Sequence, residues 1–286
     1  MKSKLNEKIF LHKTIAISGS TGGIGRALCV HIAARGGNLL LLDRNEQKAT
    51  ALAAEIKSEY PDTHIDYIPL DLSDFGSVKS AVDALKMSPP DHIILNAGAY
   101  AVPRFKTDLG YDNVFQINYL SPYYIARQML PAIREKGGRI VAVGSIAHNY
   151  CETNENDIDF SKQPRASRVY GNAKRRLMFS LFALGSENIV IAHPGISFTG
   201  ITAHYPKLIF ALIKYPMKLI FMKPRRASLP ILLGLTSAIK GTKWLGPRWF
   251  GIWGKPKAVE LRTCREDEQK RIENTAKRLY NELISQ

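Results

Sequence analysis

Two residues four positions apart, Tyr170 and Lys174 in the run Tyr170-Gly171-Asn172-Ala173-Lys174, carry the strongest chemical signal in the sequence. On a helix such positions project from one face, so an ammonium there can act on a phenol. A free phenol has a pKa of about 10 and is a poor acid or base near pH 7, and each unit of lowering corresponds to about 1.4 kcal/mol. Nearby positive charge lowers it, and Lys174 supplies one such charge. The same spacing also suits two amphipathic surface residues, so the pair needs a site around it.

A glycine-rich stretch offers that site. Ser18-Gly19-Ser20-Thr21-Gly22-Gly23-Ile24-Gly25 follows the apolar run Thr14-Ile15-Ala16-Ile17 and precedes a helical pattern reaching Arg35. The pattern predicts strand, tight turn and helix. A phosphate needs backbone N–H donors at close range and the positive end of a helix dipole, and Gly19, Gly23 and Gly25 leave room for it. A second apolar run, Asn38 to Leu42, ends at Asp43, 24 residues past Gly19. A carboxylate there can bind both ribose hydroxyls of an adenosine, so strand, turn, helix and acid together point to a dinucleotide. An oxidised nicotinamide would then be a second positive charge beside Tyr170.

Apolar runs of strand length alternate with helical segments, which predicts crossover units and an α/β fold: one Rossmann-like domain over 1–286, a doubly wound parallel sheet with helices on both faces. Gln47 to Glu59 reads as a helix, His64 to Leu70 as a third strand, and Ser73 as the cap of a helix ending at Met87. His92 to Leu95 is a fourth strand, Arg139 to Gly144 a fifth and Asn188 to Ala192 a sixth. Asp112 to Arg134 reads as a long helix bent or ended by Pro122 and Pro131. Asp71, Asn96 and Ser145 each follow a strand, at the sheet edge where open α/β folds bind ligands. Trp244, Trp249 and Trp253 read as packing residues around a last strand, and Arg265 to Ile284 as a surface helix.

The set Ser18 to Gly25, Asp71, Asn96-Ala97-Gly98, Asn118, Ser145, Tyr170, Lys174 and Pro194-Gly195 resembles, in order and spacing, the short-chain dehydrogenase/reductase family over about residues 10–200. Ser18 replaces the family's more usual threonine and keeps a hydroxyl. The resemblance implies NAD(P)-dependent alcohol or carbonyl chemistry and a catalytic tetrad of Asn118, Ser145, Tyr170 and Lys174. In it Ser145 binds the substrate oxygen, Tyr170 moves the proton, Lys174 tunes the phenol and holds a ribose, and Asn118 anchors a water. It also implies cofactor contacts from Ser18, Gly19, Ser20, Gly23, Ile24, Gly25, Asp43, Arg44, Asp71, Leu72, Asn96, Ala97, Gly98, Pro194, Gly195 and Thr199, beside Tyr170 and Lys174. A dimer or tetramer is implied as well.

For the cofactor, Asp43 should repel a 2′-phosphate and favours NAD, while Arg44 beside it leaves NADP as the alternative. The long interval between Ser145 and Tyr170, with Ser145-Ile146-Ala147-His148, resembles the retinol-dehydrogenase branch, which implies an apolar retinoid-, steroid- or lipid-like alcohol or carbonyl. A lid is expected over about 197–226 and a C-terminal extension over about 243–286. Within the lid, the apolar and basic segment 205–226 is too interrupted to span a bilayer and could contact a membrane surface. A non-catalytic dinucleotide-binding sensor or adaptor is the alternative function.

The 286 residues are 45% hydrophobic and carry a formal charge of +15, which favours anionic partners. That charge is spread along the chain without a recognition motif, so nucleic acid is not expected. The three cysteines, Cys29, Cys151 and Cys264, are far apart and odd in number, against a disulfide framework. The seven histidines show no paired ligand spacing, and no metal is expected. Residues 1–13 contain no apolar run of signal length, so a cytoplasmic protein, at most peripheral to a membrane, is the expectation.

Overall fold

The computed structural model describes residues 8–195, 222–237, 239, 241–249 and 253–285. Its described strands form one sheet in the order β3-β2-β1-β4-β5-β6-β7-β8. These are β1 (Thr14–Ser18), β2 (Asn38–Asp43), β3 (Ile65–Pro69), β4 (His92–Leu95), β5 (Arg139–Val143), β6 (Ile189–Ala192), β7 (Lys243–Trp249) and β8 (Trp253–Glu260). All neighbours pair in parallel except β7 and β8. The central strands are nearly uninterrupted apolar runs, such as Ile-Val-Ile-Ala in β6, because helices cover them on both sides.

One face packs Ile15, Ile17, Leu39 and Leu41 against α1 (Gly23–Ala33) and α2 (Glu46–Glu59). The opposite face packs Ala16, Leu40, Leu42 and Ile93 against α3 (Phe75–Met87) and residues of later helices. Those are α4 (Asn113–Phe115), α5 (Ser121–Glu135) and α6 (Ala166–Ala183). Two short helices follow, α7 (Pro224–Ala227) and α8 (Leu229–Gly234), the latter burying Ile231 and Leu232 in the first core. The last helix, α9 (Glu266–Ile284), closes the second core with Ile272, Ala276, Leu279 and Leu283. Strand order reverses between β1 and β4, so a crevice opens at their carboxyl ends.

Three local expectations change. Asp74, not Ser73, caps α3 by accepting from Ser77 N at 3.1 Å, because Ser73 donates its own N–H and hydroxyl to Asp71 Oδ1 at 2.9 and 2.6 Å. The chain stays helical through Pro122 and Pro131, but Gln116–Leu120 widens into a π turn whose Ser121 N–H reaches Gln116 O. Pro122 has no N–H to close the ordinary bond, and the wider turn absorbs that loss. The final segment forms two strands, and Trp249 on β7 is 59% exposed rather than packed, while Trp244 stacks on His193 at 5.0 Å. Most of the expected lid, together with Thr199, lies outside the described residues. No helix among the described residues is long and apolar enough to cross a membrane.

Candidate functional site

The glycine turn is built by steric necessity. Gly19 has φ +67°, and a Cβ on Gly25 would lie 2.1 Å from Gly19 O, so neither position accepts a side chain without rebuilding the turn. Asn96 fixes the turn from β4, donating from Nδ2 to Ser18 O and Gly19 O, both at 3.0 Å. The Ser18 hydroxyl accepts from Asn96 N and Ala97 N at 3.0 and 3.1 Å, a task that serine performs as well as threonine. Gly22 caps α1 without a side chain, so no side-chain acceptor covers the first N–H groups of that helix. Gly19, Gly23, Ile24 and Gly25 line a cleft of about 930 Å³ that also holds Asn96, Ala97 and Gly98. A pyrophosphate fits such bare N–H donors at a helix N-terminus.

Asp43 is tied into the turn. It is buried, and both of its oxygens are engaged by the turn: Ser20 N and Oγ donate to Oδ2, and Thr21 N and Oγ1 donate to Oδ1 at 3.3 and 2.9 Å. Four donors match the four lone-pair sites of a carboxylate, so Asp43 shapes the turn. Arg44 beside it has a side chain 75% exposed, 3.6 Å from Asp71 Oδ2. Asp43, Arg44, Lys48, Asp71 and Leu72 line a shallower adjoining cleft of about 280 Å³.

Ser145, Tyr170 and Lys174 line the main cleft opposite the glycine turn, with Pro194 and Gly195 alongside. Strand β5 delivers Ser145, and α6 presents Tyr170 and Lys174 one turn apart. Lys174 Nζ lies 5.8 Å from the Tyr170 ring centroid and donates to Val143 O at 3.0 Å. Burial brings its ammonium down to about 8. Burial likewise pushes the Tyr170 hydroxyl up to about 12, against the hydrogen bond with Ser145, and Tyr100 and Tyr150 add to the rise. The phenol is therefore protonated near pH 7.

Asn118 sits behind these groups, buried in the π turn. Its Nδ2 donates to Ala99 O and Val114 O, both at 2.8 Å, and its Oδ1 accepts from Ala99 N at 3.2 Å. Gly98 separates Asn118 from Lys174: a Cβ there would meet Asn118 Oδ1 at 2.7 Å and Lys174 Nζ at 3.6 Å.

Several cleft residues have no signature in sequence. Val102, Pro103, Phe105 and Tyr150, together with Ile146, give the main cleft an apolar wall. The Tyr100 ring meets the Tyr170 ring edge-on at 5.3 Å. Arg104 pins the two loops that form the mouth: its guanidinium donates to Asp112 Oδ2 at 2.6 Å and to the carbonyls of Phe160, Ser161 and Gln163 at 3.0, 3.1 and 2.5 Å. Apolar loop residues and a lone arginine carry no periodicity, so only the folded chain brings them together. Among the described residues, no three His, Cys, Asp or Glu side chains gather into a group that could hold a metal ion.

Comparison with known proteins gives the family and the fold. The family model for short chain dehydrogenase matches residues 13–155. Polyprenol dehydrogenase of Mus musculus is 25% identical over 272 residues, covering 89% of this chain and 79% of the relative. The Homo sapiens polyprenol dehydrogenase is 29% identical over 175 residues, 59% of this chain, and the match spans only 53% of that relative's length. Retinol dehydrogenase 13 of Homo sapiens is 26% identical over 202 residues, 67% of this chain and 61% of the relative. Among solved structures, an uncharacterized protein from Mycobacterium Paratuberculosis superposes with a TM-score of 0.74 at 22% identity, covering 98% of this chain and 96% of that one. A short-chain dehydrogenase from Sphingobium yanoikuyae in complex with NADPH has a TM-score of 0.59 at 22% identity, with 78% and 83% covered. These structures share the fold. On the family match, the chain belongs to the short-chain dehydrogenase family.

Proposed function

We propose that this chain interconverts an alcohol and its carbonyl on a mostly apolar, retinoid-, steroid- or lipid-like substrate, and that it uses NADP(H) in preference to NAD(H). The observation that carries the reading is the convergence of Ser145, Tyr170 and Lys174 on one cleft, opposite a glycine turn with uncovered helix N–H groups. The nicotinamide supplies or accepts the hydride when bound. The remaining steps belong to side chains. Ser145 donates a hydrogen bond to the substrate oxygen, and Tyr170, protonated near pH 7, gives its proton to that oxygen as the carbonyl is reduced. In oxidation the same group, once ionised, takes the proton from the alcohol. Lys174 keeps positive charge next to the phenol, and Asn118, through Ala99 and Val114, holds the wall behind them.

The preference for NADP(H) follows from the engaged state of Asp43 and the open one of Arg44. A carboxylate whose lone pairs are already filled is a poor ribose ligand, whereas an exposed guanidinium on the same cleft can pair with a 2′-phosphate. The apolar wall of Val102, Pro103, Phe105 and Ile146 supports an apolar substrate, as do relatives named for polyprenol and retinol. The test is loss of the reduced-nicotinamide absorbance band when the protein meets NADPH and a panel of long-chain isoprenoid aldehydes, steroid ketones and short polar aldehydes. Turnover of the apolar members is expected; turnover of the polar members alone would overturn the substrate reading, and no turnover of any would favour a cofactor-binding sensor.

A further inference from the structure

The mechanism leaves unused a buried ion pair that joins the last helix to the serine of the cleft. Glu268, in the first turn of α9, is fully buried, and Arg175, the neighbour of Lys174 on α6, is 5% exposed. Successive helix residues diverge by about 100°, so one turn of α6 sends Lys174 into the cleft and Arg175 toward α9. Arg175 Nε donates to Glu268 Oε1 at 2.7 Å, and Nη2 donates to Glu268 Oε2. The rest of the guanidinium is directed elsewhere: Nη1 donates to His148 O at 2.9 Å and Nη2 to Thr263 O at 3.1 Å. Glu268 Oε1 also accepts from Thr153 N and Oγ1 at 3.4 and 3.2 Å.

His148 passes this restraint to Ser145. Its Nδ1 lies 2.7 Å from Ser145 O, and because a carbonyl only accepts, Nδ1 carries the proton. Burial lowers the His148 pKa, keeping the ring neutral near pH 7, so Nε2 is the acceptor for the Thr263 hydroxyl at 2.8 Å. The backbone N–H of His148 reaches Ser145 O at 3.2 Å, and Ala147 N–H reaches Ser145 Oγ at the same distance. Residues 145–153 are thus held at Ser145, His148 and Thr153 by groups anchored on α6, α9 and Thr263.

We infer that Glu268, acting through Arg175 and His148, is a positioning residue for Ser145, so that the C-terminal helix sets the geometry of the oxygen-binding hydroxyl. Neither residue of the pair lines either cleft. Charges this deeply buried are often replaceable by apolar side chains without loss of stability, whereas breaking one partner is costly. What an apolar pair cannot reproduce is the guanidinium's simultaneous hold on His148 O and Thr263 O.

This difference gives the test, which rests on the proposed carbonyl chemistry for one of its two readouts. Glu268→Gln and the double variant Arg175→Met/Glu268→Leu are compared with wild type by melting temperature, by amide hydrogen exchange of the 145–153 segment, and by kcat with NADPH and a turned-over aldehyde. In the double variant the melting temperature is expected to return close to wild type. Exchange of the Ala147 and His148 amides is expected to quicken by about tenfold or more, with kcat down by at least about tenfold and the NADPH Kd within about twofold. Arg175→Lys keeps the charge but cannot span three acceptors, and should lose kcat similarly. Unchanged exchange in the double variant overturns the inference whatever the activity, as does quickened exchange with kcat per folded molecule unchanged. Absence of turnover in the wild type would instead refute the proposed chemistry, leaving the exchange measurement to decide the role of Glu268.

Discussion

Replacing Arg44 by alanine tests the cofactor assignment at one side chain. The guanidinium is 75% exposed, and its contact with Asp71 Oδ2 at 3.6 Å is worth about 0–1 kcal/mol, so a phosphate displaces it at little cost. A hydrogen bond to a charged group contributes about 1.5–3 kcal/mol net, and the exposure of Arg44 places its pairing at the lower end. About 1.5 kcal/mol corresponds to roughly tenfold in Kd. Titration by quenching of tryptophan fluorescence, at low and at moderate salt, should show the NADP+ Kd of Arg44→Ala rising by about tenfold while that of NAD+ changes by less than about twofold. The wild-type preference for NADP+ should narrow as salt rises, because the pairing is exposed. Equal weakening of both cofactors, or tighter wild-type binding of NAD+, would refute the assignment and restore Asp43 as the ribose ligand.

Other perturbations separate the turn, the cleft and its mouth. Asp43→Asn exchanges an acceptor for a donor facing Ser20 or Thr21, and should cost about 1–3 kcal/mol of stability while weakening NAD+ and NADP+ alike, as read by melting temperature and cofactor titration. Gly25→Ala would bring a methyl to 2.1 Å from Gly19 O and should abolish the rise in melting temperature that cofactor gives the wild type. Since burial holds Lys174 at about 8, its ammonium is present below that pH and lost above it; reductive kcat/KM should therefore fall on a limb near pH 8, and Lys174→Arg should move the limb to higher pH. An unmoved limb would assign it to another group. Arg104→Ala frees the loops carrying Asp112 and Phe160, and should raise KM for the apolar substrate more than it lowers kcat in steady-state assays.

The legible parts of this protein are those whose physics is local. A glycine turn between an apolar run and a helix, an asparagine after β4, and a tyrosine one helical turn from a lysine are short-range patterns, and the fold brings them to one cleft. The bonds that tie Asp43 to the turn depend on whether the hydroxyls of Ser20 and Thr21 turn inward, which spacing does not encode. Ser73 and Asp74 are both competent caps, and the choice fell on the one left free once Ser73 was engaged by Asp71. Strand β8 lacked alternation because Lys255, Lys257, Val259 and Glu260 are all exposed. Glu268 looked like one more charge on an amphipathic surface helix; its partner Arg175 is 93 residues away, and nothing short of the fold joins them.

The most direct measurement is the single-turnover rate of carbonyl reduction by Tyr170→Phe with saturating NADPH. That change removes one hydroxyl and leaves the ring, its edge-on contact with Tyr100 and the glycine turn in place. With Tyr170 as the proton donor, the rate should drop by about 10²–10⁴-fold while the NADPH Kd stays within about twofold. A rate equal to that of the wild type would contradict the assignment of Tyr170 as the group that protonates the substrate oxygen.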